Sequence, residues 1–439
     1  MHVHSCGMFR TLASAVLMAW GSSVSYAADV ILDAPGTLAA ALSGMPRDTR
    51  TLVISGKADA SELSALRDSL PMLESLDMRG LAVAPPEIPA YAFAVTALTE
   101  IMLPDDITVI GEGAFAAVPA VAVTLPSSLD SIGPYAFAHS KLASVAFPAS
   151  LRAVGSNAFG DCGSLTQVDA GAGIASIGES AFHGCALESI DLSACPRLQS
   201  IGAHAFEGCL SLRSVSLPVR EMTLGRGAFM GCGNLQSVSG GAVKEIPALM
   251  LADAPDADVS QVLTRGVTAI GAYAFSGNRS MSVAIPSTLD SIGDHGMERM
   301  KELALLDVSE LEHVPALGDA VWDEVDQNAV SLKVAVGMES DFASAAQWKE
   351  FRINHTSHTG DMDADMSGVT LRFDGSTLVI ASSVGIARVD AVSLDGIVLA
   401  RIAPAATEAS LDASRWPCDI CIVSVTLSDG TKHVYTLSR

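Results

Sequence analysis

The amino-acid sequence predicts a right-handed solenoid of about ten stacked repeats followed by a small all-β sandwich. A phrase made of an aliphatic residue, Gly, two variable residues, Ala and Phe recurs at intervals of 22 to 24 residues, or at twice that interval. Its phenylalanines are Phe115, Phe137, Phe159, Phe182, Phe206, Phe229 and Phe275. A unit of this length cannot bury its own apolar face, so it gains a core only by stacking on its neighbours.

A second apolar pattern runs in phase with the first and predicts a short strand in each repeat. It places apolar residues at Leu142, Val145 and Phe147, and Pro148 follows. The last two apolar positions alternate as a strand requires, and the proline removes a backbone donor and ends the pairing. Each repeat is therefore predicted to contain a strand, a turn, a second short extended piece that ends at the Gly, and a helical turn that carries Ala-Phe.

These units resemble the bacterial BspA-like leucine-rich repeats. One repeat matches the family pattern at Leu142, Val145, Phe147, Pro148, Leu151, Val154, Gly155, Ala158, Phe159, Cys162 and Leu165. The resemblance covers roughly residues 50 to 351, and residues 52–77 look like the capping region of such proteins. It implies a leucine-rich-repeat fold and a role in surface adhesion or in binding host proteins.

The N-terminus has the organisation of a secretory signal peptide. Arg10 precedes an apolar stretch over residues 12–20, and small residues lead to a cleavage site after Ala27. That order is typical of an exported chain. The predicted domains are a signal peptide (1–27), an N-terminal cap (28–80), the leucine-rich-repeat solenoid with its C-terminal cap (81–353), a linker (354–368) and a C-terminal β-sandwich for sorting or attachment (369–439).

The charge composition excludes two classes of partner. The chain has 26 Lys and Arg against 49 Asp and Glu, a net charge of −23. We expect no nucleic-acid partner, because phosphate binding needs basic patches, and no attraction to anionic lipid.

No internal apolar run is long enough for a transmembrane helix, so no membrane insertion is expected. The signal peptide and the family resemblance together imply that the chain is secreted, or lies on the outer-membrane exterior of a gram-negative bacterium.

The cysteines fall into two groups. Four of them stand three residues after a repeat Phe: Cys162, Cys185, Cys209 and Cys232. Coils about 4.8 Å apart stack these side chains in a row that suits disulfides poorly, since disulfides need Cβ atoms about 3.8 Å apart. Buried free thiols are favoured over disulfides and over a metal ladder. Cys418 and Cys421 enter a strand, where buried thiols, a local disulfide and a redox pair all remain open.

The linker holds a group of side chains that could bind a metal: His355, His358, Asp361, Asp363 and Asp365. A calcium loop would need Gly where Met366 stands and a bidentate Glu near Arg372, so that pattern fails twice. A solvated linker is favoured over a calcium site and over a transition-metal site. We therefore predict no metal and no cofactor.

The C-terminal region changes to short alternating strands separated by turn residues. Asp395-Gly396 and Asp429-Gly430 are typical hairpin turns. The region resembles the C-terminal sorting domains of type IX secretion, through residues 392–396 and 411–436. Those domains have Pro-x-Gly-x-Tyr before the penultimate strand, whereas this chain replaces the Gly and the Tyr by Asp419 and Cys421.

The sequence predicts that the chain is not an enzyme. A catalytic site needs several groups that converge in one pocket, and no Ser/His/Asp signature, phosphate loop or zinc motif is present in the sequence. Five histidines fall at different phases of the repeat and are expected to be scattered and solvated: His139, His183, His204, His295 and His313.

Binding by an extended surface is the remaining function. The outward strand positions are predicted to form one polar, mildly acidic face, which includes Thr99, Glu100, Thr166, Gln167, Asp169, Glu188, Asp191, Arg213 and Gln236. We expect a monomer that binds a host extracellular or bacterial surface protein through this face. Two alternatives stay open. One is a structural envelope or biofilm component, and the other is a carbohydrate-binding module that uses Tyr91, Tyr135 and Tyr273.

Overall fold

The computed structural model describes residues 26–354, 369–374, 376–393, 397–416 and 420–438. It contains two compact units, one that ends at Ala242 and one that begins at Val243. The predicted solenoid is therefore divided between the two units, and the second unit also contains the C-terminal strands. Within the described ranges, no helix is long and apolar enough to cross a membrane.

The first unit begins with three parallel strands joined by short helices. In chain order these elements are β1 (Tyr26–Leu32), α1 (Leu38–Leu42), β2 (Thr49–Asp59), a 3₁₀ helix (Ala60–Glu62), α2 (Ser64–Ser69) and β3 (Ser75–Ala84). The Asp59 carboxylate accepts a hydrogen bond from the Ser61 N–H at 2.9 Å and so caps the 3₁₀ helix. The segment predicted as a cap thus has parallel strands, as the repeats do.

The repeats of the first unit contain two kinds of very short strand. They are β4 (Glu87–Ile88), β5 (Glu100–Met102), β6 (Val109–Ile110), β7 (Ser131–Ile132), β8 (Ser144–Ala146), β9 (Ala153–Val154), β10 (Gln167–Asp169), β11 (Ser176–Ile177), β12 (Ser189–Asp191), β13 (Ser200–Ile201), β14 (Ser214–Ser216), β15 (Thr223–Leu224) and β16 (Ser237–Ser239). The two-residue strands form one parallel sheet that runs in chain order from β4 to β15. The three-residue strands pair as β8–β10 and β12–β14–β16, and β5 pairs with the longer β3.

The helical turn predicted around Ala-Phe is not confirmed. That segment is a tight turn in which the residue before the Ala and the residue two after the Phe have left-handed backbone, as at Ser180 (φ 52°) and Gly184 (φ 67°). The Phe182 N–H donates to the Ala205 carbonyl of the next coil at 2.8 Å. A helix would use this donor within its own segment, whereas here it forms a third row of bonds between coils.

The repeat phenylalanines form the predicted continuous ladder in the first unit. Neighbouring rings stack with centroids 5.3 to 5.6 Å apart and interplanar angles of 2 to 15°. The ladder consists of Phe93, Phe115, Phe137, Phe159, Phe182, Phe206 and Phe229, all of them buried. Coil stacking therefore supplies the apolar core that a single repeat lacks.

The four cysteines of the repeat row are buried free thiols, as predicted. Each Sγ donates to the carbonyl of the preceding coil's repeat Phe at 3.1 to 3.2 Å, for example Cys209 to Phe182. Burial raises the pKa of the Cys185 and Cys209 thiols far above their ordinary value and raises the pKa of Cys232 to about 12. These thiols therefore remain protonated and unreactive at neutral pH.

The second unit continues the same coil pattern. Its elements through residue 354 are β17 (Glu245–Ile246), a 3₁₀ helix (Val259–Gln261), β18 (Ala269–Ile270), β19 (Ser282–Ala284), β20 (Ser291–Ile292), β21 (Leu305–Val308), β22 (Ala316–Leu317), a 3₁₀ helix (Gln327–Ala329), β23 (Ser331–Val334), α3 (Glu339–Ser344), a 3₁₀ helix (Trp348–Glu350) and β24 (Arg352–Asn354). Two parallel sheets result, β17–β18–β20–β22 and β19–β21–β23–β24.

An aromatic cluster closes the last coil of the array. Trp348 and Phe351 are buried, and both pack against Trp322, with ring centroids 5.4 and 4.9 Å away. Phe342, on α3, meets the Trp348 ring edge to face at 5.2 Å. The Trp348 indole donates to the Pro315 carbonyl at 3.3 Å, so its polar atom also has a partner.

The C-terminal strands form the predicted antiparallel β-domain. They are β25 (Val369–Asp374), β26 (Thr377–Ser393), β27 (Val398–Ile402), β28 (Ala406–Asp412), β29 (Ile420–Leu427) and β30 (Lys432–Ser438). Instead of two separate sandwich sheets, one six-stranded sheet forms, because the long β26 pairs with β25 and β28 near its start and with β27 and β29 near its end. Both halves share one apolar core, which includes Leu378, Val389 and Val423.

Candidate binding surface of the repeat array

All nine outward residues predicted from the sequence are exposed. The strand β12 illustrates the reason, because Ser189 and Asp191 are exposed while Ile190 between them is only 2% exposed. A strand directs alternate side chains to opposite faces, and the inward face is occupied by the apolar core. The outward positions are therefore free of any packing role.

Backbone hydrogen bonds align part of this face into a column. The Glu188 N–H donates to the Thr166 carbonyl at 3.3 Å, and the Arg213 and Gln236 N–H groups donate to Glu188 and Arg213 at 2.9 Å each. Gln167, Asp169 and Asp191 lie on the strands that follow these residues. We call these seven residues (Thr166, Gln167, Asp169, Glu188, Asp191, Arg213 and Gln236) the strand face.

Thr99 and Glu100 lie apart from the strand face. Glu100 begins β5 and Thr99 directly precedes it, and β5 pairs with β3 rather than with β8 or β10. The Ser75 hydroxyl donates to the Glu100 carboxylate at 3.0 Å, and the Thr99 N–H donates to the Glu74 carbonyl at 2.7 Å. These two residues are thus exposed, but they continue the N-terminal strands.

The strand face is acidic, with Asp169, Glu188 and Asp191 against Arg213. The Ser193 hydroxyl and backbone N–H hold the pKa of Asp191 below its ordinary value, and the N–H lies 2.9 Å from the carboxylate. Asp191 is therefore charged at neutral pH and also fixes the turn after its strand. Asp169 and Glu188 are exposed carboxylates that can meet a partner directly.

The same outward strand position is covered in part of the second unit, where the C-terminal β-domain packs on Leu305. Leu305 aligns in register with Ser282 and Ser331 of the flanking strands but is only 3% exposed. It forms an apolar cluster with Met281, Ala304, Val392 and Ile422. The sequence signal for this contact is the apolar run 303–306, which interrupts the usual alternation of outward polar residues.

Charged groups surround this apolar contact. The Glu302 carboxylate lies 3.8 Å from Arg388 and 3.9 Å from Arg401, and the Lys432 ammonium donates to the Glu302 carbonyl at 3.4 Å. Both arginines also pair with Asp390, which is only 4% exposed. Burial lowers the pKa of Lys432. No local sequence pattern predicts this group, because its members contact one another across about 100 residues of chain.

The prediction that the histidines are scattered is wrong for four of them: His139, His183 and His204 form one row, and His295 contacts Glu298. His139 and His183 lie on either side of Asp161, with N–O distances of 3.8 and 3.9 Å. Glu207 lies 3.8 Å from His183 and 2.8 Å from His204. The tight turn brings the side chains that precede a repeat Phe close to the side chains that follow it. Residues at different positions within the repeat therefore form one row.

The tyrosines suggested for carbohydrate binding are partly exposed. Tyr91 and Tyr135 are 46 and 47% exposed in the first unit, and the Tyr91 hydroxyl donates to the Glu112 carboxylate. Tyr273, in the second unit, stacks on His295 with ring centroids 4.8 Å apart. Tyr273 therefore has a partner ring within its own unit.

Three predictions fall wholly or partly outside the described residues. One is the signal peptide (1–27), of which only residues 26 and 27 are described. The linker metal ligands lie outside them: His355, His358, Asp361, Asp363 and Asp365. Cys418 also lies outside the described residues, whereas Cys421 is buried on β29. Whether the linker residues bind a metal, and whether the two cysteines form a disulfide, a redox pair or buried thiols, therefore stay predictions.

The stacked parallel coils and exposed strand face define a repeat solenoid of the kind that presents an extended surface. The BspA type leucine rich repeat region matches this chain in six copies, over residues 86–195, 193–304 and 259–322. These matches span more than half of the 439 residues, so the chain belongs to this family. The resemblance inferred from the sequence is confirmed for the repeats. No functionally curated protein matches the chain.

Several solved structures are similar to the chain. A leucine-rich repeat protein from Bacteroides ovatus is 16% identical, with a TM-score of 0.39, over 69% of this chain and 84% of that chain. A leucine-rich repeat protein from Eubacterium ventriosum is 14% identical, with a TM-score of 0.41, over 69% and 90%. The pneumococcal vaccine antigen PcpA is 18% identical, with a TM-score of 0.38, over 60% and 82%.

Proposed function

We propose that this chain is an exported, non-enzymatic surface protein that binds a protein ligand through the strand face. The observation that carries the proposal is the in-register column of exposed polar side chains above a fully buried core. Such a surface can change its side chains without cost to the fold. The packing of the β-domain on the equivalent position at Leu305 supports the idea that this side of the coils accepts a protein surface.

The partner that fits the strand face is a host extracellular or bacterial surface protein with a basic patch. The net charge of −23 favours encounter with such a partner, and the exposed Asp169 and Glu188 favour a basic contact. Few aromatic residues lie on the face, so individual contacts are weak and several are needed together. Binding should therefore fall as salt concentration rises.

Export and attachment complete the proposal. Residues 1–27 direct secretion, and the C-terminal β-domain serves sorting or attachment at the exterior of the outer membrane. The mature chain acts as a monomer, and binding at the strand face needs no cofactor. The family of the repeats supports a surface role, and the resemblance of residues 392–396 and 411–436 to type IX sorting domains supports the role of the β-domain.

The double variant Asp169→Lys/Glu188→Lys tests the binding face. We expect it to bind an immobilised laminin-rich basement-membrane extract about tenfold more weakly than the wild type, since two exposed attractions become repulsions. The measurement is surface plasmon resonance at low and physiological salt. Asp191 is left unchanged because its carboxylate holds the turn at Ser193.

The matched control is Asp105→Lys/Asp106→Lys, which makes the same change in net charge at two exposed positions outside the strand face. We expect this control to keep most of the wild-type affinity. Equal weakening by both pairs would mean that net charge alone governs binding. Unchanged binding by Asp169→Lys/Glu188→Lys would exclude the strand face and favour a purely structural role.

A further inference from the structure

His295, Glu298 and Asp323 form a mixed imidazole and carboxylate cluster in the second unit. One ligand atom from each residue lies within 4.8 Å of the other two. His295 Nδ1 is 2.8 Å from the Glu298 carboxylate. We call these three residues the His295 cluster, and it lies at the turns of two successive coils.

The local fold brings the three side chains together. His295 has left-handed backbone (φ 54°), as does Arg299 (φ 56°), so His295 and Glu298 meet across one tight turn. Asp323 comes from the next coil, which is held alongside by the Arg299 N–H bond to the Asp323 carbonyl at 2.7 Å. The cluster therefore joins two coils.

Neighbouring groups orient the ligand atoms. The Tyr273 ring stacks parallel to the His295 imidazole, at an interplanar angle of 6°. The Ser276 hydroxyl donates to Glu298 Oε1 at 2.7 Å, which leaves Oε2 directed toward His295. Hydrogen bonds of this kind fix the ligands of metal sites.

One atom of the cluster lacks a hydrogen-bond partner. His295 Nδ1 is buried, and its contact with Glu298 Oε2 is short but not aligned as a hydrogen bond. A buried polar atom without such a partner is costly, and a cation between the imidazole and the carboxylates would satisfy it. Around a tetrahedral ion with metal–ligand distances of about 2.0 to 2.2 Å, ligand atoms lie about 3.3 to 3.6 Å apart. Binding would therefore open the 2.8 Å contact between His295 and Glu298 and draw the exposed Asp323 carboxylate inward.

The geometry points to a binding site for a divalent transition-metal ion, best represented by Zn²⁺, at the His295 cluster. An imidazole nitrogen favours zinc over magnesium or calcium, which take oxygen ligands. Three protein ligands leave a fourth position open, and one of the three, Asp323, is exposed. A bound ion would link the two coils. Its open coordination position would be available to a side chain of a partner protein.

The first unit contains a natural comparison. His204 and Glu207 have the same spacing, the same 2.8 Å contact, a left-handed His (φ 57°) and the same buried Nδ1 without a hydrogen-bond partner. The third ligand is therefore what distinguishes the two places. The position that corresponds to Asp323 is Met230, so the next coil supplies no carboxylate. Among the described residues, only the His295 cluster brings three ligand atoms within that distance.

The test uses the full-length protein with His355→Ala and His358→Ala, so that the linker histidines do not contribute. After chelator treatment and dialysis, Zn²⁺ is titrated in competition with a chromophoric chelator, and Co²⁺ binding is followed by its visible absorption. We expect one equivalent of Zn²⁺ and a higher melting temperature with Zn²⁺. Ser276→Ala should weaken binding about tenfold or more.

Two substitutions and one matched control decide the result. His295→Asn and Glu298→Gln should abolish binding, while His204→Asn should leave it unchanged; Asn is used because it tolerates left-handed backbone. Circular dichroism checks that each variant is folded. If His295→Asn does not fold, Glu298→Gln decides the result, because glutamine keeps the shape of the glutamate side chain. No Zn²⁺ binding, binding that survives Glu298→Gln, or equal loss in His204→Asn would overturn the assignment.

Discussion

Replacing Phe182 by alanine is expected to lower the free energy of unfolding by about 3 to 5 kcal/mol. The Phe182 ring is 1% exposed and stacks between Phe159 and Phe206 at 5.4 and 5.3 Å. Its removal leaves a cavity that two coils line and that the hydrogen bonds between coils prevent from collapsing. The measurement is a urea denaturation series with a check that unfolding is two-state.

The control for this variant is Ser189→Ala, on the exposed side of a neighbouring coil. A surface change of this kind should alter stability by no more than about 0.5 kcal/mol. If the two variants unfolded at the same urea concentration, the phenylalanine ladder would not be the core of the array.

Gly225→Ala is expected to destabilise the protein by about 1 to 3 kcal/mol or more. The glycine of the repeated phrase lies against the backbone of the preceding coil, and a Cβ there would lie 2.2 Å from the Ala203 nitrogen and 2.4 Å from the Gly202 carbonyl carbon. Both are backbone atoms, so the clash cannot be relieved by a side-chain rotation. Thermal and urea unfolding measure the loss.

Gly233→Ala is the matched control, because a Cβ at Gly233 would meet no atom within 4 Å. This variant should be as stable as the wild type within about 0.5 kcal/mol. Equal stability of both glycine variants would contradict the close approach of the coils at Gly225.

Much of the repeat structure could be predicted because each coil meets the same environment. Phe182 and Cys209 are buried because each coil stacks on its neighbours, and their equivalents in other coils are buried for the same reason. One repeated sequence pattern therefore predicts many contacts. Alternation in strands such as β12 also predicts which residues are exposed. The outward position of Glu188 therefore followed from the pattern alone.

Features that depend on local backbone or on distant contacts could not be predicted. The turn at Ser180 contains Ala and Phe, which are compatible with a helix, yet the bonds between coils favour left-handed residues there. The approach of His183 to Glu207 follows from that turn and not from repeat phase. The contact of Leu305 with Ile422 joins segments far apart in the chain, and no local period encodes it.

Photo-crosslinking tests the central claim, that the strand face is where this protein binds its partner. Benzoylphenylalanine is placed singly at Thr166 on the strand face, at Glu179 in a coil turn and at Glu408 in the β-domain, all of them exposed. Each protein is irradiated on the laminin-rich basement-membrane extract, and adducts are detected by their change in mass. We expect an adduct from Thr166 and none from Glu179 or Glu408. An adduct from Glu408 with none from Thr166 would contradict the account, because binding would then belong to the β-domain.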